Sequence, residues 1–125
     1  MSEVTSEIFV FGSNLAGRHG AGSALHARRY FGAELGVGEG RTGLSYAIPT
    51  KDRSLRILPL EAIEKSVKKF LEYAKEHPEL HFFVVEVGCG LAGYKPEQIA
   101  PFFEGHSDNV RLPLNFWNLL HTGTI

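Results

Sequence analysis

Several residue types and features are scarce in this chain of 125 residues, and each absence excludes a class of protein. Cys89 is the single cysteine, which rules out an internal disulfide and a cysteine cluster for zinc. The apolar runs are far shorter than the ~20 residues that a membrane-spanning helix needs. The N-terminal segment 1–7 is acidic and lacks the basic and apolar regions of a secretion signal. We therefore expect a soluble, cytoplasmic protein with no membrane partner.

An excess of charge of one sign is also missing. Thirteen Lys and Arg residues stand against fourteen Asp and Glu residues, so the formal net charge is −1. Without a global basic field the chain has no general means of holding a nucleic-acid backbone. Its dispersed histidines show no metal-ligand spacing. The sequence therefore predicts no nucleic-acid partner, no metal and no cofactor.

The size and composition indicate one globular domain that covers residues 1–125. Apolar residues make up 43% and charged residues 22%, which is the balance of an ordinary chain with a buried core. A domain of this length without appended segments is typical of a bacterial or phage accessory protein. The oligomeric state stays open.

Glycine, in contrast, is abundant. The chain has 14 glycines, about 11% of its residues against ~7% in average proteins. They fall mainly within residues 12–22, 32–43 and 88–93. Glycine is favoured where the backbone needs a positive φ or approaches another group closely. Three such clusters in a small domain predict loops built around a ligand.

Hydrophobic patterning predicts strands that alternate with helices. Short apolar runs are typical of strands buried on both faces, whereas apolar residues at helical spacing indicate amphipathic helices. The predicted strands are residues 8–11, 44–48, 82–87 and 110–113, and the predicted helices are residues 23–31, 60–76 and 96–103. Residues 32–43 are predicted as a loop and residues 116–120 as a closing turn. This order predicts an α/β layered domain with a mainly parallel or mixed central sheet flanked by helices.

Two glycine-rich loops follow predicted strands, at the sheet edge where open α/β domains bind ligands. Loop one is residues 12–22 and loop two is residues 88–94. Each offers glycine N–H groups ahead of a helix, an arrangement suited to anions, so the pair would hold a diphosphate between them. The alternative is that both are only tight turns. Residues 38–43 match the glycine pattern of the dinucleotide fingerprint, but they precede a predicted strand instead of following one. Residues 17–23 lack the lysine that a P-loop requires.

Four segments of the chain, in order, resemble macro domains, a family that binds ADP-ribose and includes hydrolases of ADP-ribose derivatives. The segments are residues 10–14, 20–26, 46–49 and 87–94, and the likeness extends over residues 8–105. It implies a macro-like domain that binds ADP-ribose or a related nucleotide diphosphate. Only seven residues precede Ile8, which leaves no counterpart for the aspartate that recognises adenine in that family. The chain therefore resembles a minimal or divergent member, and its base specificity stays open.

The resemblance implies a role for each matching residue. Asn14 would contact the distal ribose and, in a catalytic member, help to orient the attacking water. Backbone N–H groups of loop one would bind one phosphate, those of loop two would wrap the other, and Tyr94 would flank the distal ribose. Arg18 in loop one can donate two parallel hydrogen bonds to an oxyanion. The predicted ligand-binding residues are Gly12, Ser13, Asn14, Arg18, Gly20, Ala21, Gly22, Gly88, Cys89, Gly90, Leu91, Ala92, Gly93 and Tyr94.

Whether the chain is an enzyme stays open. If it hydrolyses an ADP-ribose derivative, the candidate catalytic residues are Asn14, His19 and Asp52, since an imidazole or a carboxylate can activate water. A second hypothesis is a small hydrolase with Cys89 as nucleophile and a histidine as base. A third is an interaction protein whose glycine loops hold no ligand. Glu86 interrupts an apolar strand, so it either faces a wet cleft or pairs with a basic side chain.

Overall fold

A five-stranded mixed sheet organises residues 7–121, the part of the chain that the computed structural model describes. The strands are β1 (Glu7–Asn14), β2 (Gly40–Thr42), β3 (Ser45–Lys51), β4 (His81–Val84) and β5 (Val110–Arg111). Their order across the sheet is β2-β3-β1-β4-β5. β1 is parallel to both β3 and β4, β4 is parallel to β5, and β2 is antiparallel to β3. The carboxyl ends of β1, β3 and β4 therefore share one edge of the sheet.

Helices cover both faces of this sheet. The helices are α1 (Gly22–Tyr30), α2 (Leu60–Glu76), α3 (Pro96–Ile99) and α4 (Leu114–His121), with a 3-10 turn over Ala100–Phe103. α1 packs on one face, whereas the other three helices and the 3-10 turn pack on the opposite face. This architecture confirms the predicted α/β layered class with a mainly parallel sheet. No helix of residues 7–121 is both long and apolar enough to cross a membrane.

The central strand β1 supplies both hydrophobic cores. Ile8 and Val10 join the larger core, which the face with α2 covers, while Phe9 and Phe11 join the smaller core under α1. All four side chains are buried because successive residues of a strand point to opposite faces of the sheet. A continuous apolar run is therefore what a strand in this position requires. Most of the N-terminal segment 1–7, for which the sequence predicts no secretion signal, lies outside the described residues.

The prediction of a loop at residues 32–43 is wrong for residues 40–42, which form β2. β2 pairs with the start of β3 through the tight turn at Gly43, whose φ of 58° suits glycine. A strand of three residues that includes a glycine carries no readable periodicity. Its pairing with β3 is what determines its conformation.

The strand predicted at residues 44–48 extends further than expected, to Lys51, and includes Pro49. Proline lacks a backbone N–H, so within a sheet it occupies positions where no neighbouring strand needs a hydrogen bond from its nitrogen. β2 pairs only with residues 45–47, so among the described residues no strand lies beside Pro49 on the side of β3 that faces away from β1. The strand predicted at 82–87, in contrast, ends early at Val84.

The prediction of a closing turn at residues 116–120 is also wrong, because these residues belong to α4. Pro113 precedes this helix, and its carbonyl oxygen accepts a hydrogen bond from the N–H of Trp117 at 2.9 Å. Phe116 is fully buried in the larger core. The helix is therefore stabilised mainly by packing of its apolar face against the core. A segment of eight residues is too short for its sequence to indicate this packing. The predicted bounds of α2, a longer amphipathic helix, are confirmed.

Candidate functional site

A cavity of about 540 Å³ lies beyond the carboxyl ends of β1, β3 and β4. Loop one and the start of α1 form one wall, loop two forms another, and the segment that follows β3 forms a third. The lining residues are Gly12, Ser13, Asn14, Arg18, Gly20, Ala21, Gly22, Ser23, Ala24, Thr50, Lys51, Leu55, Glu86, Val87, Gly88, Gly90, Leu91 and Ala92. Both glycine-rich loops thus border the same space, as the diphosphate hypothesis requires.

The side chain of Asn14 closes the first half of loop one. Its Nδ2 donates to the carbonyl oxygen of Arg18 at 2.8 Å, and its Oδ1 accepts from the N–H of Arg18 at 3.0 Å. The N–H of Gly17 donates to the Asn14 carbonyl oxygen at 2.9 Å, and the loop is buttressed outside by Gly36, whose N–H donates to Gly17. Asn14 therefore lies on the cavity wall and at the same time holds the backbone that presents Arg18.

Loop two is closed by its own backbone. The N–H of Gly93 donates to the carbonyl oxygen of Gly90 at 3.0 Å, and the N–H of Tyr94 donates to that of Gly88 at 2.9 Å. The two loops begin side by side, because a Cβ built on Gly12 would lie 3.6 Å from the backbone nitrogen of Gly88. A ligand in the cavity would therefore meet the backbone of both loops.

Two glycines leave open space in front of the backbone. A Cβ built on Gly20 of loop one or Gly90 of loop two would have no other atom within 4 Å, and neither residue has a positive φ. These positions therefore need glycine neither for fold sterics nor for backbone conformation. α1 begins beside them without a side-chain cap at Ala21, so the first N–H groups of that helix have no side-chain acceptor. Free N–H groups at the start of a helix are suited to bind an anion.

Three residues with charged side chains are among those that line the cavity. Arg18 and Lys51 are cationic, and Glu86 carries a carboxylate. Within residues 7–121, none of the three forms an ion pair at 4.0 Å or less. Of the two interpretations of Glu86, the structure favours the one in which it faces a cleft. No group of three or more His, Cys, Asp or Glu side chains in residues 7–121 is arranged to hold a metal ion.

His19, a candidate catalytic base, does not line the cavity. Its side chain is 1% exposed and packs edge-on against Phe11, with ring centroids 5.6 Å apart. Neither ring nitrogen has a hydrogen-bond partner among residues 7–121. Burial lowers the pKa of His19 below 6.5, because the charged imidazolium is desolvated there. The ring is thus kept neutral but is held inside the fold.

Cys89 and Asp52 also lie outside the cavity lining. The half-buried Cys89 thiol points to the carbonyl oxygen of Val87, and burial, with Glu86 and Glu97 nearby, raises the pKa of Cys89 to about 11. Such a thiol is almost entirely protonated at neutral pH, which is unfavourable for a nucleophile. The Asp52 carboxylate instead accepts backbone hydrogen bonds within its own turn.

Gly93 and Tyr94 lie in the closing part of loop two, away from the cavity lining. The Tyr94 hydroxyl donates to the carbonyl oxygen of Leu58 at 2.6 Å, and its ring packs against the larger core. In this position the ring fixes the end of loop two to the segment before α2. The predicted contact of Tyr94 with a ribose therefore has no support from its position.

Sequence reasoning left several lining residues out of the candidate site. These are Ser23, Ala24, Thr50, Lys51, Leu55, Glu86 and Val87. A signal existed for those at strand ends, since Thr50 and Lys51 end β3 just as Ser13 and Asn14 end β1. The Thr50 hydroxyl donates to the Ser13 carbonyl oxygen at 3.2 Å and so ties the two strand ends together. No sequence signal marked Leu55.

Comparisons with known proteins bear on the fold. No family model matches this sequence, and no curated protein matches it. Among solved structures, the chain is similar to "Thermosipho africanus DarTG in complex with ADP-ribose", with a TM-score of 0.58 and 18% sequence identity. The similarity covers 85% of this chain and 38% of that one, so the match spans well under half of the DarTG chain. At this identity the likeness shows that the two share an α/β fold.

Proposed function

We propose that this chain binds ADP-ribose or a related nucleotide diphosphate, as a minimal or divergent macro-like domain. The observation that carries the proposal is the meeting of two glycine loops across one cavity, with open space at Gly20 and Gly90. The volume of about 540 Å³ lies within the roughly 300–1,000 Å³ typical of small-molecule sites. The ADP-ribose bound to DarTG, a protein of the same fold, is consistent with this ligand class.

The chemistry of the cavity wall suits a diphosphate. Backbone N–H groups at the start of α1 carry the positive end of the helix dipole, which favours a phosphate placed there. Arg18 can donate two parallel hydrogen bonds to phosphate oxygens, and Lys51 adds a second positive charge. The two loops follow neighbouring strands, and each loop offers backbone N–H groups to one of the two phosphates.

Hydrolysis of an ADP-ribose derivative is a finer proposal that rests on fewer residues. Of the three candidate catalytic residues only Asn14 lines the cavity, and its amide is already engaged by Arg18. Glu86 is the one carboxylate-bearing residue among those that line the cavity, and a carboxylate is able to accept a proton from water. If the chain is a hydrolase, Glu86 is therefore the candidate general base, with Asn14 in a positioning role.

Calorimetric titration with ADP-ribose, with ADP and ribose 5-phosphate as comparators, tests the binding proposal. Gly90→Glu adds bulk and negative charge where the backbone faces open space, and Gly90→Gln adds nearly the same bulk without charge. Both variants should keep the thermal stability of the wild type. We expect Gly90→Glu to bind ADP-ribose at least about ten-fold more weakly than Gly90→Gln, because the carboxylate repels a nearby phosphate.

Several outcomes would contradict these proposals. Equal affinity of the wild type and Gly90→Glu would place the ligand elsewhere. An absence of heat with all three compounds would exclude the ADP-ribose class and favour an interaction protein. If turnover is detected, full activity in Asn14→Ala would remove that residue from the mechanism. Loss of turnover in Cys89→Ser with binding retained would favour the cysteine hydrolase instead.

A further inference from the structure

Leu55 is an apolar side chain placed on the cavity without any role in the cores. It lies in the turn that follows β3, lines the cavity, and is 43% exposed. Neither hydrophobic core includes it. Leu91, which is 72% exposed, lines the same cavity from loop two. The cavity therefore has apolar side chains on two of its walls besides its N–H groups and charges.

The backbone of Leu55 has an unfavourable conformation for a leucine. Its φ is 66°, and it is the one non-glycine residue among residues 7–121 with a positive φ. Glycine adopts this left-handed region freely and asparagine tolerates it, whereas a bulkier side chain brings its Cβ too close to the following carbonyl oxygen. Strain of this kind is concentrated at functional sites, where the surrounding structure over-determines the backbone.

The turn around Leu55 is held by groups other than its side chain. The Asp52 Oδ1 accepts hydrogen bonds from the N–H groups of Ser54 and Arg56 at 2.8 and 2.9 Å. The N–H of Asp52 donates to the Arg56 carbonyl oxygen at 2.8 Å, and the N–H of Leu55 donates to the Asp52 carbonyl oxygen at 3.0 Å. The turn would therefore form with a glycine or asparagine at position 55, and with less strain.

We propose that Leu55 is a specificity-determining contact that packs against a ring of the ligand, either a sugar or a base. This inference rests on the proposed function. The two glycine loops follow β1 and β4, so phosphates held between them lie on one side of β1. β3 lies on the other side of β1, and the turn after β3 presents Leu55 to whatever ring extends in that direction. Burial of its exposed apolar surface by this ring strengthens binding.

The test is a substitution of Leu55 that relieves its backbone strain and also removes its apolar side chain. Leu55→Asn keeps a side chain of similar length in a residue that tolerates positive φ, and Leu55→Gly removes the side chain. Leu35→Asn is the matched control, because Leu35 is 62% exposed and does not line the cavity. Each variant and the wild type are titrated with ADP-ribose and with ADP, and each is melted without ligand.

We expect both Leu55 variants to melt at or above the wild-type temperature, yet to bind ADP-ribose about ten-fold more weakly. Leu35→Asn should bind like the wild type. A loss seen with ADP-ribose alone identifies the ring as the distal sugar, and an equal loss with ADP identifies it as part of the nucleoside. Unchanged affinity of both Leu55 variants for both ligands would overturn the inference while leaving the proposed function intact. A wild type that binds neither ligand would overturn both.

Discussion

His19 lies in loop one with its ring buried, where desolvation and the nearby Arg28 disfavour the charged imidazolium more than the Val37 backbone favours it. Its burial explains why it is a poor candidate for the base that activates water at the cavity. The same burial also makes the free energy of unfolding depend on pH. A group whose pKa is lowered by folding is protonated more readily in the unfolded chain, so low pH favours unfolding.

We expect the free energy of unfolding to fall as the pH drops below 6.5, the ordinary pKa of histidine. The stability that neutral His19 confers is complete above pH 6.5 and is lost as the pH falls towards its lowered folded-state pKa. The slope from this one proton is at most about 1.4 kcal/mol per pH unit. His19→Phe keeps an aromatic ring against Phe11 but cannot be protonated, and should flatten the dependence.

Urea denaturation at pH 7.0, 6.0 and 5.0 provides the measurement. His81→Asn, which replaces an exposed histidine, is the matched control. An identical pH dependence in the wild type and His19→Phe would show that His19 is not buried in solution. Loop one would then be more open than the structure describes.

At the level of secondary-structure elements, one side chain connects three of them. The two hydrogens of the Asn109 Nδ2 are shared among the carbonyl oxygens of Ala74, His77 and Leu80, which lie 3.0, 3.1 and 3.0 Å from this nitrogen. Its Oδ1 accepts from the Ser107 hydroxyl at 2.6 Å. These bonds tie the end of α2 to the start of β4 and to the segment that leads into β5. The Ala74 and His77 carbonyl oxygens also accept the backbone N–H groups of His77 and Leu80, so Asn109 adds a second donor to each of them at the end of α2.

Replacement of Asn109 should therefore destabilise the fold more than an average surface change. We expect Asn109→Ala to lower the free energy of unfolding by about 2 kcal/mol, because it removes the Nδ2 hydrogen bonds to three carbonyl groups and the acceptor of the Ser107 hydroxyl. Asn109→Asp should be as damaging, since a carboxylate accepts hydrogen bonds and repels carbonyl oxygens. Ser107→Ala, which removes only one of these bonds, should cost about 1 kcal/mol or less. Chemical denaturation of the three variants measures these losses, and equal small effects would contradict the connecting role.

The elements that the sequence predicts well are those with a strong local pattern. The bounds of α2 follow from helical spacing of apolar residues over 17 positions, and β1 follows from a continuous apolar run. β2 and the end of β3 at Lys51 depend on pairing with strands distant in sequence, which no local window records. The glycine clusters at residues 12–22 and 88–93 border the cavity, whereas the cluster at residues 32–43 contributes no lining residue. Leu55 could not be predicted, because its placement depends on the turn that Asp52 organises.

For the whole molecule, the formal net charge of −1 is spread over a chain whose cavity has two cations and one carboxylate. Under the proposed function, recognition of an anion depends on the local arrangement of charges and N–H groups rather than on a field from the entire surface. The cavity is assembled from residues 12–24, 50–55 and 86–92, which only the folded sheet brings together. In the unfolded chain these segments are separated, so we expect the ligand to bind the folded state alone.

A ligand that binds only the folded state stabilises it by an amount set by its concentration relative to Kd. At a hundred-fold excess over Kd the gain is about 2.7 kcal/mol, so ADP-ribose should raise Tm by several degrees. The rise should grow with the logarithm of ligand concentration and should be reduced in Gly90→Glu, while Leu35→Asn should respond like the wild type. A series of melts over three decades of ADP-ribose concentration gives a Kd near Tm, which the binding enthalpy from calorimetry converts to the temperature of the titration. A converted Kd more than about ten-fold weaker than the calorimetric value would show that the ligand also binds the unfolded chain, contrary to the expectation for a cavity built from three distant segments.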